Sequence, residues 1–201
     1  MKLCKALEAN IDGEVVQFEL TFRNYLTGSL FQALQDGKDP YGLDLPSNLK
    51  EWHKFETPLF TPTTKGLKDE PLNSKKVRDT FPEIISSLEK LFKDFTTFAE
   101  DRGIVVVDTK FEIFIDEDGK WVLGDEVLTP ESSRFIALED FKNSNFISMD
   151  KQILRDFGKK ENWKEQSKSL KSGEKLAVVV PKEIEDKILS GYKTILERLS
   201  K

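Results

Sequence analysis

The sequence predicts an α+β fold, an antiparallel-rich sheet with covering helices, and three observations carry that expectation. Glu14 to Arg23 alternates apolar and polar residues over much of its length, the period of a strand with one buried face. Ile104 to Ile115 reads as a second strand, followed by the hairpin-turn dipeptide Asp118-Gly119 and a partner strand from Lys120 to Leu128. Between them Val77, Phe81, Ile84, Ile85, Leu88, Phe92, Phe95 and Ala99 recur at helical spacing and form one apolar stripe. The 14–23 and 104–128 strands then make the sheet, and helices over 75–102 and 181–199 cover it.

The remaining elements follow in order. Leu30 to Gln35 reads as a short helix ending near Gly37, and Asp39-Pro40-Tyr41-Gly42 as a turn. The stretch from Leu43 to Pro71 carries Pro46, Pro58, Pro62 and Pro71 and is expected to be mostly irregular. A loop of that length inside a globular chain is commonly functional. A long helix is expected from Ser74 to about Asp101, with Pro82 near its first turns and Gly103 stopping it. Met149 to Phe157 and Pro181 to Leu199 are the last helices; the second places Ile184, Ile188, Tyr192, Ile195 and Leu199 on one face. Lys164 to Lys175 is rich in lysine and serine and reads as a solvated face or loop. The chain, 1–201, is expected to be a single catalytic-type domain.

Composition excludes several kinds of function. A hydrophobic share of 38% with 15 Phe and 3 Trp supplies a core, so the chain is not a disordered one. A net charge of −5 without a basic stripe argues against nucleic-acid binding. No apolar run is long enough to span a bilayer. Lys5, Glu8, Asp12 and Glu14 interrupt the start, which is no secretory signal, so a cytoplasmic location is expected. Cys4 is the single cysteine, which rules out an internal disulfide and a multi-cysteine metal site. His53, the single histidine, sits in Glu51-Trp52-His53-Lys54 without a nucleophile pattern, and reads as a surface or packing residue. Chemistry must rest on carboxylates, lysines, arginines and a hard metal.

The hairpin concentrates such groups. A two-residue turn at Asp118-Gly119 would place Glu112 directly across from Asp125, and like charges opposed in a ladder are destabilising unless something compensates. Alternation puts Asp108, Lys110 and Glu112 on the face shared with Asp125. Three acids and a lysine so arranged read either as a magnesium and phosphate site or as a solvent-facing cluster of ion pairs.

Longer stretches then resemble a known family. Gly103-Ile104-Val105-Val106-Val107-Asp108-Thr109-Lys110-Phe111-Glu112 is similar to one signature stretch of the phosphoribosylaminoimidazole-succinocarboxamide synthase (SAICAR synthetase) family. The run Leu123-Gly124-Asp125-Glu126-Val127-Leu128-Thr129-Pro130-Glu131-Ser132-Ser133-Arg134-Phe135 is similar to a second. Phe22-Arg23-Asn24-Tyr25-Leu26-Thr27-Gly28-Ser29 resembles its substrate-phosphate segment, and Phe60 to Lys65 with Lys68-Asp69-Glu70 its central loop. Asp150-Lys151-Gln152-Ile153-Leu154-Arg155-Asp156 resembles its late helix.

The resemblance implies an ATP-dependent ligase of purine biosynthesis. In such an enzyme ATP phosphorylates the carboxylate of carboxyaminoimidazole ribotide, and the amine of L-aspartate attacks the acyl phosphate. Carried over by position, Glu112 and Asp125 become ligands of Mg2+ or the ATP phosphates, and Lys110 and Asp108 contact the reacting groups. Arg23, Ser29, Ser133 and Arg134 would bind the ribotide, with Arg supplying a fork of donors to its phosphate. Lys151 and Arg155 would touch substrate, and Asp69 the aspartate side. Thr27-Gly28-Ser29 opening a helix would add backbone N–H groups. Two departures stand out. Phe114 occupies a position where the family usually has Gly, so a bulky ring is expected to narrow or reshape the nucleotide site. The family's first, β-rich lobe with a Gly-Lys loop over the ATP phosphates has no counterpart in residues 1–20, so the expectation is either a separately encoded N-terminal lobe as partner or a longer gene product of which this chain is part. A non-catalytic ribotide-binding protein derived from the family is the rival expectation.

Overall fold

Two antiparallel strands of 12 residues each carry the sheet in a computed structural model that describes residues 4–66, 68–171 and 174–201. The strands are β1 (Lys5–Ala6), β2 (Glu8–Ile11), β3 (Glu14–Tyr25), β4 (Lys54–Phe60), β5 (Thr63–Thr64), β6 (Ile104–Ile115), β7 (Trp121–Gly124) and β8 (Ser133–Ala137). The helices are α1 (Gly28–Gln35), α2 (Ser74–Thr80), α3 (Pro82–Glu100), α4 (Leu138–Lys142), α5 (Gln152–Lys160), α6 (Trp163–Lys168) and α7 (Lys182–Leu199). β3 and β6 pair through Leu20↔Phe111, Thr21↔Lys110, Phe22↔Thr109 and Arg23↔Asp108. Shorter strands flank this pair: β2, β5 and β4 on successive stretches of β3, and β8 and β7 on successive stretches of β6, with β1 on its last residues.

Alternation sorts the central strands into two faces. Leu20, Phe22, Phe111 and Ile113 point into the core, where α3 adds Ile85, Leu88 and Phe92. The Phe22 ring, fully buried, lies 5.1 Å from Phe60, 6.0 Å from Phe92 and 6.1 Å from Phe111 between centroids. Burying one such ring contributes about 2–3 kcal/mol, which makes this cluster the anchor of the sheet. The opposite face receives Thr21, Arg23, Asp108, Lys110 and Glu112, and it is there that a cleft opens.

The α+β sheet and its covering helices are as the sequence predicts, but several local expectations need correction. The helix from Ser74 is two helices, with Phe81 at φ −130° and ψ 56° between them. Pro82 disfavours helical geometry at the residue before it and starts α3 at its first position. The proline-rich segment contains β4, which tolerates Pro58 because it pairs with β3 alone. The hairpin register is one residue away from the expected one: Glu112 pairs with Gly124, Ile113 with Leu123 and Phe114 with Val122. The cause is Asp116, whose side chain accepts from the N–H groups of Asp118 (3.0 Å) and Lys120 (2.9 Å). That capture lengthens the loop and leaves only Gly119, at φ 75°, in the left-handed region. β7 then ends early, because Asp125 and Leu128 adopt φ 56° and 58°. The late helix begins at Gln152 rather than Met149, whose N–H instead donates to Phe135 O at 2.9 Å. Within Lys164 to Lys175 part of the stretch is helical in α6; Ser172 and Gly173, like Met1 to Leu3, lie outside the described residues. Among the described residues no helix is long and apolar enough to cross a membrane.

Candidate functional site

The register itself builds the centre of the site. Arg134 on β8 pairs with Asp108 on β6, which pairs with Arg23 on β3, so three strands bring a carboxylate between two guanidiniums in one row. Arg134 Nε donates to Asp108 Oδ1 at 2.8 Å and its Nη2 to Oδ2, while Arg23 Nη1 donates to Oδ2 at 2.8 Å. Arg23 Nε also donates to Thr61 Oγ1 at 2.9 Å, which fixes the plane of that guanidinium. Burial alone would push the Asp108 carboxyl up, but the charges of Arg134 and Arg23 outweigh it and hold the group below the usual carboxylate range. Two permanent cations share one anion, so the row retains a positive excess directed into the cleft.

The opening of α1 adds to that excess. Gly28 stands at φ +61°, and a Cβ there would come within 3.3 Å of Arg134 Nη1. Both facts require glycine: any other residue would be strained and would crowd the guanidinium. Thr27 provides no side-chain cap for the first-turn N–H groups, and Gly28 and Ser29 stand in the cleft wall.

A second charge cluster continues along β6. Lys110 Nζ lies 2.7 Å from Glu19 Oε1 and 4.0 Å from Glu112 Oε1, and Lys65 pairs with Glu112 Oε2. The bond to Glu112 raises the Lys65 ammonium, and the charges of Asp125 and Glu19 add to the effect. Asp125 is thus close enough to act on Lys65, although it follows β7 instead of facing Glu112 across the ladder. Among the described residues no group of three or more His, Cys, Asp or Glu side chains is placed to hold a metal. Glu112 and Asp125 are hard carboxylate donors of the kind magnesium takes, one or two at a time, with water and phosphate oxygens completing its shell. The ammonium of Lys65 shows that Glu112 already takes a cation partner.

Also in the cleft wall, Asp150 is 1% exposed. Its Oδ2 accepts from Phe135 N–H at 2.7 Å and its Oδ1 from Gln152 N–H at 2.8 Å. Burial dominates over these bonds and pushes its carboxyl up to about 6. The cleft has a volume of about 720 Å³, and Arg23, Ser29, Asp69, Asp108, Lys110, Ser133, Arg134, Lys151 and Arg155 all line it. These are the residues singled out from the sequence, apart from Glu112 and Asp125, which stand at its side. The Ser133 hydroxyl is shared with Thr109 Oγ1 at 2.7 Å in the buried layer. Phe114 is not part of the wall: its ring covers Gly124, where a Cβ would lie 2.2 Å from ring carbons. Sequence reasoning missed Glu19, Lys65 and Asp150. Glu19 shares the alternation of Thr21 and Arg23, a signal that was present; the role of Asp150 depends on strand-to-helix contacts that no local pattern displays.

An antiparallel sheet that presents arginines, lysines and bridging carboxylates in one cleft, beside an uncapped helix start, defines an α+β protein suited to anionic small molecules. The family model described as SAICAR synthetase matches residues 10–170, and the chain belongs to that family. It is similar to the phosphoribosylaminoimidazole-succinocarboxamide synthase of Actinobacillus succinogenes, 33% identical over 92% of this chain and 65% of the relative. It is also similar to that of Chromobacterium violaceum, 34% identical over 93% and 66%. Among solved structures, SAICAR synthase from Saccharomyces cerevisiae complexed with SAICAR aligns with a TM-score of 0.70 at 32% identity, covering 92% of this chain and 60% of that one. The chain therefore spans about 65% of the length of the curated relatives it matches.

Proposed function

We propose that this chain supplies the ribotide site and the reaction centre of an ATP-dependent SAICAR-forming ligase. One observation carries the reading. Residues assigned by family resemblance from five separate segments converge on one cleft around the Arg23–Asp108–Arg134 row. In this reading the ribotide phosphate sits at the start of α1 against Arg23 and Arg134, with Ser29 adding a hydroxyl. Lys110 faces the carboxylate that accepts the phosphoryl group of ATP, and its ammonium neutralises charge as ADP departs. The amine of L-aspartate, with Asp69 and Lys151 on its side, then attacks the acyl carbonyl, a proton is lost and phosphate leaves. Glu112 and Asp125 would hold Mg2+, which supplies charge neutralisation at the ATP phosphates when bound. The remaining length of the family, including its Gly-Lys loop, comes from a further segment or a separate polypeptide. The setting is cytoplasmic, with Arg155 as a further substrate contact.

Calorimetric titration of SAICAR into the chain tests the reading. Binding is expected, and Arg23→Ala should weaken it by about 1.5–3 kcal/mol, the loss of a charge-assisted bond. No binding by folded wild-type chain would overturn it. The rival, a non-catalytic ribotide binder, is favoured by the pairing of Glu112 with Lys65 and by the register that sets Glu112 opposite Gly124. Turnover separates the two. With an N-terminal lobe from a relative added, aspartate-dependent ADP release is expected, and Lys110→Ala should reduce it by orders of magnitude. Failure of every lobe to restore turnover in a chain that binds SAICAR would favour the rival.

A further inference from the structure

The last helix lies beyond residues 10–170, which the family model matches, yet it contacts a residue of the cleft wall. Tyr192 on α7 donates its hydroxyl to Glu131 Oε1, and Lys151 Nζ lies 3.1 Å from Glu131 Oε2. Glu131 and Lys151 both line the cleft, so one carboxylate joins the helix to a cation of the wall. Three further contacts fix where Tyr192 stands. Gly191 lies against the backbone of Met149, so closely that a Cβ there would be 2.4 Å from Met149 O. Ile195 is 3% exposed in the core. Arg198 Nη1 donates to Gly103 O at 2.6 Å, and its Nη2 pairs with Glu139 at 2.6 Å.

We propose that Tyr192 is a positioning residue of the cleft: its hydroxyl sets the Glu131 carboxylate, which in turn holds the Lys151 ammonium at the cleft wall. A lysine carries several rotatable bonds, and leaving them free makes a ligand bear the cost of ordering them. An ammonium already held at the wall avoids that cost. The loop is seated for the task, since Lys151 N–H donates to Pro130 O at 3.3 Å and Lys110 N–H to Ser132 O at 2.9 Å. The bond from Tyr192 is also the first cause that holds the Glu131 carboxyl below its usual range, ahead of its pairing with Lys151. This inference deepens the reading of the cleft as the ribotide site, but its test needs no ribotide.

The test is the rate at which N-hydroxysuccinimidyl acetate acylates Lys151, read by mass spectrometry against the distant Lys75. Tyr192→Phe keeps the ring and removes only the hydroxyl. It should raise Lys151 labelling about fivefold, the factor expected for one side-chain hydrogen bond, and leave Lys75 unchanged. Glu131→Gln should raise it at least as much, and the double variant no further, because both changes break one chain of contacts. Wild-type labelling of Lys151 in Tyr192→Phe, with Glu131→Gln elevated, would show that the helix only packs and would overturn the proposal. Should Tyr192→Phe not fold, Glu131→Gln reads the same contact from its other end by NMR of Cζ-labelled tyrosine. The Tyr192 resonance must then move while those of Tyr25 and Tyr41 stay, and an unmoved Tyr192 resonance overturns the proposal. SAICAR titration of the same samples keeps the two readings apart: absent binding by wild type refutes the ribotide site and leaves the labelling result standing.

Discussion

Asp108 receives two hydrogen bonds from Arg134, through Nε and Nη2, and its second oxygen is shared with Arg23. The consequence is a carboxylate whose value lies in the two cations it keeps apart. Removing it leaves two largely buried guanidiniums facing each other without an anion, and breaking such a buried pair costs about 3–5 kcal/mol. Asp108→Ala should therefore lose that much stability in urea denaturation at pH 7. Its pKa is depressed in the fold, so its contribution is present above the unfolded value of 3.8 and disappears as pH falls below it. A loss much under 1 kcal/mol at pH 7 would mean that the arginines find other partners.

Asp150 has the opposite sign. Its folded pKa, about 6, lies above the ordinary 3.8, so the stability it contributes is complete below 3.8 and is lost as pH rises through about 6. The interval corresponds to about 3 kcal/mol for a group this buried. Wild type should therefore lose stability relative to Asp150→Asn between pH 4 and pH 7, since Asn carries no charge at any pH and its lost acceptor offsets the two curves by a constant. Urea denaturation of both proteins across that range checks the difference, and parallel curves would refute it.

Phe114 and Gly124 form the clearest case of one residue permitting another. The ring occupies the space that any side chain at position 124 would need. Gly124→Ala should cost about 1–3 kcal/mol by overpacking in wild type. In a Phe114→Gly background the same change should be nearly neutral, giving a coupling of at least about 1 kcal/mol in a double-mutant cycle. Additive effects, measured by thermal or urea denaturation, would show that the ring moves aside freely.

These three relationships show what the sequence made legible. The alternation of β3 and β6 was readable, and with it the shared face of Asp108, Lys110 and Glu112; that Arg23 joins them depends on the pairing of β3 with β6. Ile104–Ile115 was placed to the residue because its apolar run is bounded by Gly103 and a turn. The hairpin register was not readable, because it depends on Asp116 capturing two backbone N–H groups and not on the dipeptide that follows. β8 was hidden as well: five residues without alternation become a strand only because β6 offers them a long edge. The pairing of Lys65 with Glu112 joins residues 47 apart in sequence and has no local signature.

That pairing sets the last prediction. Lys65 and a divalent cation compete for the same carboxylate, so removing the lysine should favour the metal. Magnesium is expected to raise the Tm of the wild-type chain in the presence of ADP, because a ligand that binds only the folded state stabilises it by mass action. Lys65→Ala should enlarge the increment at equal magnesium, while Glu112→Gln combined with Asp125→Asn should abolish it. The enlargement follows from the geometry, since Glu112 is 6% exposed and, without Lys65, keeps only the more distant Lys110, 4.0 Å from its Oε1, as a cation partner. Calcium offers an internal control: it prefers six to eight oxygen ligands, which two carboxylates and a diphosphate serve poorly, so its increment should be smaller. If Lys65→Ala reduces the magnesium increment instead, the lysine assists the phosphates rather than competing for Glu112. If the double carboxylate variant keeps the full increment, magnesium binds elsewhere and the assignment of Glu112 and Asp125 as its ligands fails.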